Sequence, residues 1–136
     1  MPISSVHSKL ITIPSSAIDE NGHVNNVVYV QWMQDIAIEH YASIGGIEAQ
    51  GADSTWVVRQ HSIEYLLPAF TGEEIEVRTW VENIRKVRSL RKYEFVRKND
   101  GKVLVKGETD WVFVDTKTGS PKAIPVEVGE VFKPGT

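Results

Sequence analysis

One segment carries most of the helical signal of this chain, and its apolar arc is too wide for a flat surface. From about Asn25 to Ile44, successive residues set about 100° apart place Tyr29, Val30, Trp32, Met33, Ile36, Ala37, Tyr41 and Ile44 over about half of the circumference. Gln31, Gln34, Asp35 and Glu39 take the remainder. A helix lying on a flat sheet buries a narrower stripe, so this pattern predicts a helix enclosed by a curved surface. Gly45-Gly46 ends it.

Elsewhere the period is two. Val6 to Ile13 alternates loosely as a first strand and is closed by Pro14-Ser15-Ser16. Thr55 to Leu67 reads as a long strand stopped by Pro68. Glu73 to Ile84 sets Ile75, Val77, Thr79 and Val81 on one face and Glu76, Arg78, Trp80 and Glu82 on the other. Arg88 to Lys98 and Lys102 to Asp115 are joined through Asn99-Asp100-Gly101, a strong hairpin signal. The tail from Pro121 has no firm pattern. Successive hairpins make a mainly antiparallel sheet, and one helix cannot cover both of its faces. The expected class is α+β: a five-stranded sheet wrapped around a long central helix, with an outer face or an edge strand left to meet a second copy.

The 136 residues suit a single domain over 1–136 with one core. A net charge of −3 gives no reason to expect nucleic acid or an anionic membrane as partner. Cysteine is absent, so disulfides, thiolate metal sites and cysteine nucleophiles are excluded. His7, His23, His40 and His61 lack metal-ligand spacing. Neither a metal nor a cofactor is expected. The start MPISSVHSKL does not read as a secretory signal, and no apolar stretch reaches the roughly 20 residues that span a bilayer. A cytoplasmic location is the expectation.

The densest group of chemically capable residues lies just before the helix. Asp19-Glu20-Asn21-Gly22-His23-Val24-Asn25-Asn26, followed by Tyr29 and Trp32, resembles the signature of hotdog-fold acyl thioesterases. Asp19 stands three residues before Gly22, as the catalytic aspartate does in the 4-hydroxybenzoyl-CoA thioesterase-like branch. Asp19, Asn21, His23, Val24, Asn25, Asn26 and Tyr29 also match the plant acyl-acyl-carrier-protein thioesterases, which carry glutamine where Gly22 stands. Ile63-Glu64-Tyr65-Leu66 with Pro68-Ala69 and Gly72 is similar to that family's second strand and turn, and Arg88-Ser89 to the start of its third strand. The resemblance implies dimers at least, with tetramers open, and hydrolysis of acyl-CoA or acyl-carrier-protein thioesters at the subunit interface. It further implies the Asn26 N–H as donor to the carbonyl oxygen.

Hydrolysis of a thioester needs an activated water or nucleophile, and positive polarisation where the carbonyl oxygen gains charge. The unsatisfied N–H groups at the helix start meet the second need. Asp19 meets the first, by attacking the thioester carbon or by drawing a proton from water. Asn21 and His23 alternate with it, so in an extended loop all three project to one side. There His23 orients water or shares a proton, and Asn21 holds the carboxylate or the carbonyl. Gly22 lets the substrate approach closely. Tyr29, Trp32, Met33 and Trp56 are the candidate walls of an acyl tunnel. Ile84 to Lys92, with five cations in nine residues including Arg88 next to Ser89, is the candidate site for coenzyme A phosphates or an acidic carrier protein. Asn25 reads as a helix cap and His40 as a satisfied core or interface histidine. The competing functions are a hotdog dimer that binds acyl thioesters without turnover, and a dehydratase on the same fold.

Overall fold

The computed structural model describes residues 2–134; Met1, Gly135 and Thr136, included in the single-domain expectation, lie outside the described residues. Its elements are β1 (His7–Thr12), a 3-10 turn (Ser15–Ala17), α1 (Asn26–Ser43), α2 (Gly46–Gln50), β2 (Ser54–Tyr65), β3 (Glu74–Arg85), β4 (Arg88–Arg97), β5 (Val103–Asp115) and α3 (Val126–Val131). All strand pairings are antiparallel, in the order β1-β3-β4-β5-β2. The five-stranded sheet, with α1 against its inner face, is the expected α+β arrangement. Register shifts at Val58/Gln60, at Val81/Asn83 and opposite Phe95/Val96 mark bulges in β2, β3 and, at Leu104, β5. Bulges bend strands, which gives the long sheet its curl around the helix.

Alternation decides what each strand sends inward. On β3 these are Ile75, Val77, Thr79 and Val81; on β4, Ser89, Arg91, Tyr93 and Phe95. Against them α1 buries Tyr29, Met33, Ile36, Ala37 and His40, while Val30, Trp32 and Tyr41 at the margins are half-buried. The helix passes close over the sheet at Gly107 of β5, where a Cβ would come within 2.9 Å of Met33 Sδ. The core has two apolar parts. One surrounds Tyr29, Met33, Phe95 and Leu104 near the start of α1; the other joins Val81, Phe113, Val128 and Phe132 near its end. Polar side chains lie between them: His40, Thr79, Arg91 and Thr109, all buried.

Two helices were absent from the sequence-based expectation. The break at Gly45-Gly46 is followed at once by α2, and the unpatterned tail contains α3. Both are five or six residues long, too short to show a helical period. α3 nonetheless closes one end of the core, because Val128 and Phe132 are buried there. No helix among the described residues is long and apolar enough to cross a membrane.

Candidate functional site

The loop from Ala17 to Asn26 is a miniature hairpin that runs directly into α1. Ile18 bridges Val24, the Asp19 N–H donates to His23 O at 3.1 Å, and the Gly22 N–H donates to Asp19 O at 3.0 Å. Glu20, Asn21 and Gly22 form its tip, with Gly22 at φ +83°. A Cβ at Gly22 would meet nothing within 4 Å, so glycine is required here by the left-handed backbone, not by crowding. The expected extended loop is therefore a tight turn. Asn21 sits exposed at its tip instead of alongside Asp19. The turn forms because Asp19 Oδ1 accepts the Asn21 N–H at 2.9 Å, a local bond that competes with extended backbone. Asp19 and His23 face each other across the hairpin and are both half-buried.

Anchoring one carboxylate oxygen fixes the side chain while the second stays available. Among the described residues Asp19 Oδ2 has no hydrogen-bond partner. The His23 ring lies with Nδ1 3.4 Å from Val24 O. One bond to the rest of the chain and one across its base hold the hairpin: the Val24 N–H donates to Ala69 O and the Asn25 N–H to Ala17 O, both at 2.9 Å. Val24, only 2% exposed, plugs it into the core.

The two asparagines divide the helix start between them. Asn25 is the N-cap, extended at φ −63° and ψ 135°, and its Oδ1 accepts the Val27 N–H at 2.9 Å. Asn25 O accepts the Val28 N–H. The Asn26 N–H has no acceptor among the described residues. It is the first amide of an 18-residue helix, where the macrodipole is positive. Sequence reasoning overlooked Tyr65 at this point. Its hydroxyl donates to Asn26 O at 3.0 Å and ties the end of β2 to the start of α1. Tyr29 packs edge-on against Trp32 and Phe95, and burial pushes its hydroxyl up to about 12. Tyr29, Trp32 and Met33 thus belong to the apolar cluster at this end.

Trp56 lies at the other end of the helix. There a half-open cavity of about 280 Å³ is lined by Ala37, Ile38, Tyr41, Trp56, Ser89, Arg91, Trp111 and Phe132, among others. Arg88 and Ser89, adjacent in sequence, point to opposite faces of β4. Ser89 is buried in the cavity, whereas Arg88 is exposed on the outer face and forks onto Asp110. The five-cation cluster is correspondingly divided. Lys92 pairs with Glu108 at 3.7 Å, Arg91 is inside, and of the exposed cations Arg85 and Lys86 at the β3–β4 tip have no acidic partner among the described residues. Among the described residues no group of His, Asp and Glu could hold a metal ion.

With this geometry in view, the chain can be set beside known proteins. A model of the thioesterase-like superfamily matches residues 13–132. The chain belongs to that superfamily. Solved structures share the fold of this thioesterase-like chain at low identity. The PA5185 protein of Pseudomonas aeruginosa covers 93% of this chain and 88% of its own, with TM-score 0.82 and 24% identity. Slr0204 of Synechocystis, a 1,4-dihydroxy-2-naphthoyl-CoA thioesterase, covers 94% and 96%, with TM-score 0.82 and 16% identity. SAV2348 of Staphylococcus aureus, solved in complex with CoA, covers 98% and 89%, with TM-score 0.82 and 17% identity. The superfamily match places thioester hydrolysis at the level of the family, and the solved structures show the shared fold.

Proposed function

We propose that this protein hydrolyses an acyl thioester of coenzyme A or of an acyl carrier protein, with Asp19 as nucleophile or general base and the Asn26 N–H polarising the carbonyl. The observation that carries this reading is the junction between the Asp19 hairpin and α1. A carboxylate with one anchored and one free oxygen shares a short loop with an unpaired amide at the positive end of a long helix. Hydrolysis adds water across the acyl carbon–sulfur bond, and the oxyanion formed on the way needs such a donor. His23, on the face of the hairpin that carries Asp19, positions the attacking water. Arg85 and Lys86, the unpaired cations at the β3–β4 tip, are the residues offered to the phosphates of the thiol carrier.

The site is completed by a second copy. Strand β2 is an edge of the sheet and carries exposed Val57 and Tyr65, and the helices expose Val27, Ile38 and Ile47. Two β2 edges paired antiparallel about a two-fold axis make α1 of one copy run opposite to α1 of the other. The Asp19 hairpin of each copy then faces the cavity of its partner. Purified protein given CoA and carrier-protein thioesters, with released thiol read by a thiol-reactive dye, tests the activity. Asp19→Asn should lower turnover at least about 1000-fold while thioester binding persists. Thioester binding with no thiol release by the native protein would reduce the protein to a binding module. Single-turnover hydrolysis in ¹⁸O-water reports on the routes: if Asp19 displaces the thiol to form an anhydride and water opens it at the aspartyl carbon, Asp19 acquires the label and the acid does not, whereas general-base attack on the acyl carbon labels the acid alone.

A further inference from the structure

The cavity under the second half of α1 has apolar walls and a buried cation on its floor. Arg91 is 4% exposed, and no carboxylate lies within ion-pair distance of it among the described residues. Its Nη1 contacts only neutral groups, His40 Nδ1 at 2.8 Å and Thr79 Oγ1 at 3.1 Å. His40 can accept that bond only as the neutral ring, and its own pKa, lowered by burial and then by Arg91, agrees. Burial lowers Arg91 as well, to about 10, which leaves it charged at neutral pH. A desolvated cation without a counter-ion is costly to fold. Nε and Nη2 have no partner among the described residues and remain open to a ligand, in the planar fork that suits a carboxylate. The space of about 280 Å³ is nearly twice that of a cavity that admits benzene, so it takes a short chain or one substituted ring.

We infer that this cavity receives the acyl group, and that Arg91 selects acyl groups ending in a carboxylate. This rests on the thioesterase reading and on the two-fold pairing that sets a second copy's Asp19 hairpin at the cavity mouth. An unsubstituted alkyl chain of the same length fills the apolar walls but buries the Arg91 charge further without pairing it. It is therefore selected against. Hydrolysis of the preferred thioester yields a dicarboxylic acid and the free thiol.

Two measurements on the intact protein test the inference. In the first, adipate and the neutral hexanamide are titrated against tryptophan fluorescence, since Trp56 and Trp111 line the cavity. Adipate should perturb emission of the native protein and of Asp19→Asn, with hexanamide on the order of 100-fold weaker. Arg91→Met should abolish the difference. In the second, kcat/KM is compared for adipoyl-CoA and hexanoyl-CoA. A ratio on the order of 100 in the native protein should fall to within about three-fold of one in Arg91→Met, and Arg91→Lys, charged but without the fork, should lie between. Hydrolysis of both thioesters at equal efficiency overturns the inference and leaves the thioesterase reading intact. Adipate binding that depends on Arg91, without hydrolysis of any thioester, supports the carboxylate site and sinks the catalytic reading. If Arg91→Met does not fold, Ile47→Trp, which narrows the mouth without altering the charge, must weaken adipate binding; unaltered binding places the carboxylate elsewhere.

Discussion

Asn25 and Asn26 show how one residue type serves two purposes through position alone. Asn25 uses its side chain to close the helix start, a cap worth about 1 kcal/mol. Asn26 offers its backbone amide, so changing its side chain leaves the proposed oxyanion donor in place. Proline separates the two. At the first position of a helix it is well tolerated, since the missing N–H has no intrahelical partner. The preceding residue must be extended, and Asn25, at ψ 135°, already is. Asn26→Pro should therefore leave the melting temperature within a few degrees of native while kcat falls about 100- to 1000-fold. Asn26→Ala, which keeps the amide, should retain most of the turnover. Equal turnover in the two variants would remove the helix start from the mechanism.

At the scale of elements, the polar layer between the two halves of the core is the distinctive construction. His40 joins α1 to β4 through Arg91, and stacks on His7 of β1 with ring centroids 5.1 Å apart. Its pKa is lowered to about 4 from an ordinary 6.5, first by burial and then by Arg91 and His7. In the unfolded chain the ring protonates as pH drops through about 6.5, whereas the folded ring resists until about 4. The unfolded state thus binds the extra proton. Stability is complete above pH 6.5 and is lost on descending toward 4. The full shift corresponds to about 3 kcal/mol; discounted for residual solvent around the ring, about 1 to 2 remain. Urea denaturation at pH 7.5 and 4.5 should show that loss in the native protein and a smaller one in His40→Gln, which accepts the same bond without titrating. Strands β2 to β5 and α1 were legible in the sequence because their periods persist for ten residues or more. The polar layer was not, since arginine normally signals solvent. Its cue was parity: Ser89, Arg91, Tyr93 and Phe95 share one face of β4, and Phe95 is fully buried. The same parity separates Arg88 from Ser89, which a reading by neighbourhood grouped together. Asn21 was misplaced because alternation holds only in extended chain, and Gly22 turns the chain.

At the scale of the whole molecule, the site is spread along α1. The Asp19 hairpin lies at one end of the helix and the cavity around Arg91 at the other, some 11 residues on, or about 16 Å at the helical rise of 1.5 Å per residue. Within one chain that distance separates the proposed hydrolytic group from the proposed acyl pocket. A two-fold through the β2 edges removes it, because each hairpin then approaches the opposite cavity, and two complete sites arise from two incomplete ones. Val57, 43% exposed on that edge, is the residue to alter. A lone chain tolerates a charge there, while two copies of the charge meet across an isologous seam, where like charges repel. Val57→Glu should therefore shift sedimentation from dimer or larger toward monomer at micromolar concentration. Far-ultraviolet circular dichroism should stay native, and thioester hydrolysis should fall with the dimer fraction. Mixing Asp19→Asn with Arg91→Met chains supplies the complementary arm. Each heterodimer holds one intact site and one doubly altered site, so adipoyl-CoA hydrolysis should rise above that of either variant alone, toward about a quarter of native in an equal mixture at random exchange. No recovery in a mixture shown to exchange subunits would mean that Asp19 and Arg91 act within the same chain, and the crossed arrangement would fail.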